Sequence, residues 1–219
     1  MPAGAHLLPV LRAPYSARVE SSDENWLADA RIVAIERALR SQPPPPAPPR
    51  PVEAAVALLL RPGTDLDILL IRRAQHHGDP WSGHVALPGG RRHAGDADLS
   101  VTARRETLEE VGLDLDRHGR LLGGLKPVAP ASRRLPSLSV TPFVFGVAPG
   151  RELVLDEREV DAAVWVPLSE LRDERAAGEI LIEIEGGSQR FPSLTWHDYV
   201  VWGLTLRILH DFFEVARAS

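Results

Sequence analysis

The chain has no cysteine in its 219 residues, which excludes disulfides and thiol chemistry and fits a reducing compartment. It has a single lysine, Lys126, so its positive charge is almost entirely arginine. Any side chain that grips a phosphate is therefore an arginine fork or a histidine rather than an ammonium group. No run of uncharged apolar residues approaches the roughly 18 needed for a helical membrane span. Nor does a basic segment followed by an apolar stretch open the sequence, so the expectation is a cytoplasmic protein with no secretory leader and no membrane partner. The formal net charge of −5 argues against a general nucleic-acid binder. There is no internal repeat and no histidine cluster of zinc type. What the chain does have is an ordinary 44% of hydrophobic residues, enough to fill one core.

Its organisation reads as an extension, 1–51, followed by a domain, 52–219. Ser21 and Glu24 form a capping-box pattern, and Ala28, Ile32, Ile35 and Leu39 make one apolar stripe, which predicts an amphipathic helix over about 24–40. Residues 41–51 are proline-rich and read as a stiff polyproline II connector. Ala54 to Leu60 is a continuous apolar run, predicted as a strand buried on both faces. The turn residues 61–65 link it to a second strand, Leu66 to Arg72, in a hairpin. Further strands are expected over Leu121–Val128 and Leu138–Ala148, with Pro142 marking an edge or a bulge. Another is expected at Ala163–Leu168. Ser169–Arg175 reads as a short helix, and Ile180–Pro192 as a hairpin around Gly186-Gly187. Trp196 to Ala216 reads as one helix in which Gly203 permits close packing.

The stretch from Leu87 to Leu113 carries the chemistry. A glycine turn, Gly89-Gly90, leads through a polar loop with Asp96 and Asp98 into a helix. Asp98 or Ser100 can cap its start, and Gly112 suits the left-handed position after its end. Within the helix, Glu106, Glu109 and Glu110 are three or four residues apart and are expected on one side. Like charges so placed repel, and a hard divalent cation with oxygen ligands would reverse the sign. Arg105, four residues before Glu109, can pin it. The plain alternative is a solvated acidic face offset by Arg104 and Arg105.

The segment resembles the Nudix box, G-x5-E-x7-R-E-U-x-E-E-x-G-U with U bulky and aliphatic. Arg105, Glu106, Glu109, Glu110, Gly112 and Leu113 match its second half in type and spacing. Thr107 stands where an aliphatic residue is usual and Ala97 where the first Glu would be. Asp96, six residues after Gly90, can take that acidic role in a box lengthened by one residue. This lengthened form is similar to that of coenzyme A pyrophosphatases. So are Leu69-Leu70-Ile71-Arg72-Arg73-Ala74 before the box and Val201-Trp202-Gly203-Leu204-Thr205 near the end.

The resemblance implies an α/β fold, a Nudix α/β/α sandwich around a mixed central sheet with the box as loop-helix-loop. It implies Mg²⁺ or Mn²⁺ held by Glu106, Glu109 and Glu110, with a backbone carbonyl near Gly90 completing the set. Glu109 is the first candidate for the general base and Glu159 the second, Glu157 lying in the same acidic loop, and Arg105 would orient Glu109. The implied substrate is a nucleoside diphosphate linked to a second group, foremost coenzyme A, cut to 3′,5′-ADP and phosphopantetheine. ADP-ribose, NADH and dinucleoside polyphosphates are alternatives, as is a non-catalytic nucleotide sensor. Arg72, Arg73, Arg91, Arg92, Arg133 and Arg134 are candidate phosphate forks. His84 can touch phosphate or simply bond backbone, and Trp81 can stack on a base or plug the core. A homodimer is a further implication.

Overall fold

The apolar run after the proline-rich stretch forms the longest strand, β1 (Val52–Pro62), and the sheet is built around it. This computed structural model describes residues 26–41, 52–75, 82–130, 137–184 and 187–217. The Ser21–Glu24 cap, the proline-rich connector, Trp81, Arg133 and Arg134 lie outside the described residues.

Ahead of β1 come a 3-10 turn, Trp26–Ala28, and α1 (Ala30–Ser41). After it come β2 (Leu66–Arg73), β3 (Val85–Ala86), β4 (Gly89–Arg91), α2 (Leu99–Val111), α3 (Leu115–His118) and β5 (Gly119–Gly124). The second half holds β6 (Leu138–Val147), β7 (Val160–Pro167), α4 (Leu168–Leu171), β8 (Ala177–Ile184), β9 (Gly187–Trp196), β10 (Tyr199–Trp202) and α5 (Gly203–Arg217).

Side chains of a strand alternate between faces, and β1 shows why its sequence is apolar at nearly every position. Ala54, Leu58 and Leu60 join one core cluster, while Ala55, Ala57 and Leu59 join the other. The first cluster is closed by α1 and α5, through Ile32, Ile35, Leu39, Leu206, Ile208, Leu209, Phe212 and Phe213. The second is closed by α2, through Ala103 and Val111. A mixed sheet thus lies between helices on both sides, with β1 and β6 parallel and the remaining pairs antiparallel.

β1 and β2 form the expected hairpin, but they stay paired only from Leu60↔Ile68 to Pro62↔Leu66. They then diverge, and β3 and β4 fill the split: β3 pairs β2 at Ile71 and Arg72, and β4 pairs β1 at Ala54 to Val56. Pro88 between them accepts from Ala57 N–H at 2.8 Å. The glycine turn is thereby wedged into the sheet beside α2.

Several expectations are corrected. The first helix begins at Ala30, not near 24, with Asp29 accepting from the Arg31 N–H at 2.9 Å, and Ala28 is exposed rather than on the buried stripe. Pro142 sits on neither an edge strand nor a bulge of its own strand, because β6 runs between β1 and β5. Its missing N–H falls in a gap of the β5-side ladder, between Gly124↔Phe143 and the Val128↔Val140 bridge, and the register shift is carried by β5 at Leu121/Gly123. The expected strand Leu121–Val128 is shorter, ending at Gly124. Ser169–Arg175 divides into α4 and a 3-10 turn, Glu174–Ala176.

The largest correction is at Trp196–Trp202. These residues are not helical: β9 turns through His197-Asp198 into β10, giving a three-stranded sheet β10-β9-β8. Gly203 starts α5 with φ +64, and a Cβ there would meet nothing within 4 Å. Its role is a left-handed backbone at the strand–helix junction, not close packing.

Candidate functional site

α2 forms where its caps are local and strong. Asp98 accepts from the N–H groups of Ser100 and Val101, and Gly112 closes the helix at φ +68 with its N–H on the Leu108 carbonyl. Gly112 is also close to the chain that follows, since a Cβ would fall 2.8 Å from the Val154 carbonyl oxygen.

The helix presents Glu106 and Glu110 inward, 9% and 1% exposed. Glu109 stands apart, with its side chain 52% exposed. Successive helical residues turn by about 100°, so Glu109 and Glu110 cannot share a face as closely as Glu106 and Glu110 do. The expectation of three carboxylates on one side is corrected to two. Glu109 pairs instead with Arg105, Nη1 to Oε2 at 2.8 Å.

A third carboxylate arrives from a distant part of the chain. Oxygens of Glu106, Glu110 and Glu159 all lie within 4.8 Å of one another. Backbone bonds hold Glu159 there. Val154 and Asp156 N–H groups donate to the carbonyls of Val111 and Glu110, which staples the loop to the end of α2. Glu159 N–H donates to Asp156, and Ala74 N–H donates to the Glu159 carbonyl, which ties the turn to the end of β2. Glu157, in the same loop, is exposed and outside this group.

The wedge supplies the other wall. Gly89, at φ +153, donates its N–H to Glu110 Oε2 at 2.8 Å. A Cβ on Gly90 would sit 2.5 Å from the Glu106 carboxylate, so only a bare backbone lets that group lie against the turn. Burial pushes the Glu110 carboxyl up to about 8, against the Gly89 N–H, and the neighbouring charges of Glu106 and Glu159 push the same way. Burial raises Glu106 as well, against its ion pair with Arg105. Crowded, desolvated oxygens of this kind are stabilised by a hard cation, and an all-carboxylate donor set fits Mg²⁺ or Mn²⁺.

Arg105 organises the flank. Its guanidinium reaches Asp96 from Nε and Nη2 at 3.2 and 3.1 Å, Glu106 at 3.0 Å, Glu109 at 2.8 Å and the Arg91 carbonyl at 3.1 Å. Asp96 also accepts from Thr102 Oγ1 and His93 N–H, at 2.8 and 2.9 Å. The Arg105 guanidinium, with these N–H and O–H donors, holds the buried Asp96 carboxyl well below the usual carboxylate range. Asp96 is thus the acidic partner of Arg105, reached from the lengthened loop.

The remaining candidates are dispersed. Arg72 is engaged by Asp198 at 2.6 Å and lies over the Tyr199 ring at 4.5 Å. Arg91 is exposed at the end of β4, and Arg92 pairs with Glu53 at 3.0 Å. The His84 imidazole meets the Trp202 indole edge-on at 5.0 Å, and its carbonyl accepts from Arg73 N–H. Sequence reasoning did not anticipate Trp202 here, because a helical reading of Trp196–Ala216 hid its strand.

The NUDIX domain family matches residues 49–183. An uncharacterized protein of Schizosaccharomyces pombe is 38% identical over 145 residues, and this chain spans 44% of its length. An uncharacterized Nudix hydrolase, NudL, of Photorhabdus laumondii is 31% identical over 146 residues, 67% of this chain and 75% of its own. Among solved structures, a MutT/nudix family protein from Enterococcus faecalis is 19% identical, with a TM-score of 0.49 over 88% of this chain and 73% of its own.

Proposed function

Since the chain belongs to the NUDIX family, we propose that it hydrolyses the diphosphate linkage of a nucleoside-diphosphate derivative with the help of Mg²⁺ or Mn²⁺. The observation that carries this reading is the convergence of Glu106, Glu110 and Glu159 within 4.8 Å, from a helix and from a loop about fifty residues further on. A solvated acidic face would not bury two of its carboxylates against a glycine turn.

Glu106 and Glu110 would hold the cation beside Gly90. A bound divalent cation supplies neutralisation of the diphosphate charge and of the leaving phosphate. Glu159, on an exposed turn that reaches the same point, takes the proton from the attacking water. Glu109, first in line as base by sequence, is tied to Arg105, and together they fix the helix flank. Arg105 is a positioning residue: it sets Glu106 and Glu109 relative to Asp96.

Coenzyme A, or an acyl derivative, is the substrate we favour. It is supported by the resemblance of Leu69–Ala74, of the lengthened box and of Val201–Thr205 to coenzyme A pyrophosphatases. Products would be 3′,5′-ADP and phosphopantetheine. Incubating the chain with Mg²⁺ and coenzyme A, ADP-ribose, NADH or diadenosine polyphosphates, and measuring phosphomonoester release, tests both levels. Cleavage of the others with coenzyme A spared would remove the substrate assignment and keep the reaction. Glu110→Gln and Glu159→Gln should each lower turnover roughly 100-fold or more, and Glu109→Gln clearly less. Full turnover in both of the first two variants would end the proposed mechanism.

A further inference from the structure

Trp202 and His84 are 118 positions apart in sequence, yet their rings meet at 5.0 Å with an interplanar angle of 66°. Phe191 of β9 adds a third ring, tilted against Trp202 at 5.5 Å. All three are only partly buried. The small sheet β10-β9-β8 thus delivers an aromatic cluster to the start of the wedge strand β3. His84 lies five residues before Gly89, whose N–H is bonded to Glu110. Five extended residues span at most ~17 Å, so the cluster and the carboxylate site stand at the two ends of one short strut.

The position is unexpected for rings whose task is only to fill a core. The buried apolar contacts of β10 are made by Val201, which is fully buried, while Trp202 points away toward His84. Partly exposed aromatic faces offer stacking area, and the imidazole adds a hydrogen-bonding edge.

We infer that His84 and Trp202, backed by Phe191, form the surface that receives the purine base of the substrate, with β3 as the strut between base and diphosphate sites. This rests on the diphosphatase reading above, and it adds the specificity-determining residues. The chemistry selected is a flat heteroaromatic ring, bound by stacking.

Binding of adenosine 5′-monophosphate and of ribose 5-phosphate to the full chain, measured by calorimetry with Mg²⁺ present, tests it without recourse to turnover. The intact chain should bind the adenylate more tightly. Trp202→Leu and His84→Ala should each weaken adenylate binding about ten-fold, in line with the loss of one base–aromatic stack, and leave ribose 5-phosphate binding unchanged. Trp202→Phe should restore most of the loss. His84→Ala, which alters only a partly exposed ring, serves if Trp202→Leu does not fold. Equal affinity for the two ligands in the intact chain, or adenylate binding unaltered by His84→Ala, overturns the inference. Preference for the adenylate in a chain that cleaves no diphosphate would instead overturn the catalytic reading and leave the base site standing.

Discussion

Asp96 and Glu110 are both buried carboxyls beside α2, and their surroundings drive them in opposite directions. Asp96 faces Arg105, Thr102 and the His93 N–H, so its ionised form is the favoured one. Because its folded value lies below the ordinary aspartate value of 3.8, the group stabilises the fold fully above that pH and loses this contribution as pH falls through the folded value. Asp96→Asn should therefore lower stability by about 1–3 kcal/mol at pH 7. Thermal melts at decreasing pH should show the gap between variant and parent narrowing below pH 3.8; a constant gap would mean that charge is not the cause. Glu110 has the reverse bias, since the Gly89 N–H and the nearby charge of Arg73 offset only part of its burial. A cation that binds the folded chain alone raises its melting temperature by mass action. Mn²⁺ or Mg²⁺ should raise it in the parent chain and not in a Glu106→Gln, Glu110→Gln double variant. Equal shifts in both would place the cation elsewhere. The residue types were legible in the sequence, but their partners were not all so. The Arg105–Glu109 pair follows from helical spacing, whereas Asp96 meets Arg105 through a loop whose path no periodicity specifies.

At the scale of elements, what was legible was what local chemistry decides. Asp98 and Gly112 delimit α2 because their side chain and backbone act on the nearest turn. The hairpin β1–β2 is written in its turn residues. The run Trp196–Ala216 misled because Val201, Leu204, Ile208, Phe212 and Val215 keep helical spacing across a strand–helix junction. Period alone does not see that His197 at φ +51 and Gly203 at φ +64 break the backbone twice. The Gly203 conformation should be measurable. Gly203→Ala forces a side chain into the left-handed region at a cost of about 1–2 kcal/mol, with no steric term, since the Cβ site is open. Gly203→Asn should cost less, because Asn tolerates that region better than Ala. Urea denaturation of the two variants separates the explanations. If both cost alike, backbone conformation is not what the glycine provides. Glu159 belongs to the same lesson: it joins α2 through a loop stapled by backbone bonds, and a charge run in sequence carries no sign of them.

For the whole molecule, the layers and the family match do not coincide. The match covers residues 49–183, while the face of the sheet opposite α2 is closed by α1 and α5, both outside it. α1 is therefore more than an appendage on a linker. Ile32, Ile35 and Leu39 are 1–3% exposed, and Leu39 lies so near β5 that a Cβ on Gly123 would fall 2.7 Å from it. Polar contacts lock the same helix at both ends of the sheet. Arg31 donates to the carbonyls of Gly63 and Thr64 in the β1–β2 turn at 2.9 and 3.3 Å, and Arg120 of β5 reaches Glu36 at 2.9 Å. Burial of the three apolar side chains contributes about 1.5–3 kcal/mol each, against a net domain stability of roughly 5–15 kcal/mol. A chain starting at Val52 should then lose most of its stability, expose the underside of β5 and α5, and bind a hydrophobic dye. The loss should extend to catalysis even though no residue of α1 is near Glu106, since β1 carries both the α1-facing and the α2-facing layers. Supplying residues 26–41 as a separate peptide should restore part of the melting transition. A truncated chain that melts cooperatively near the temperature of the full one would show that the helix decorates a domain already complete without it.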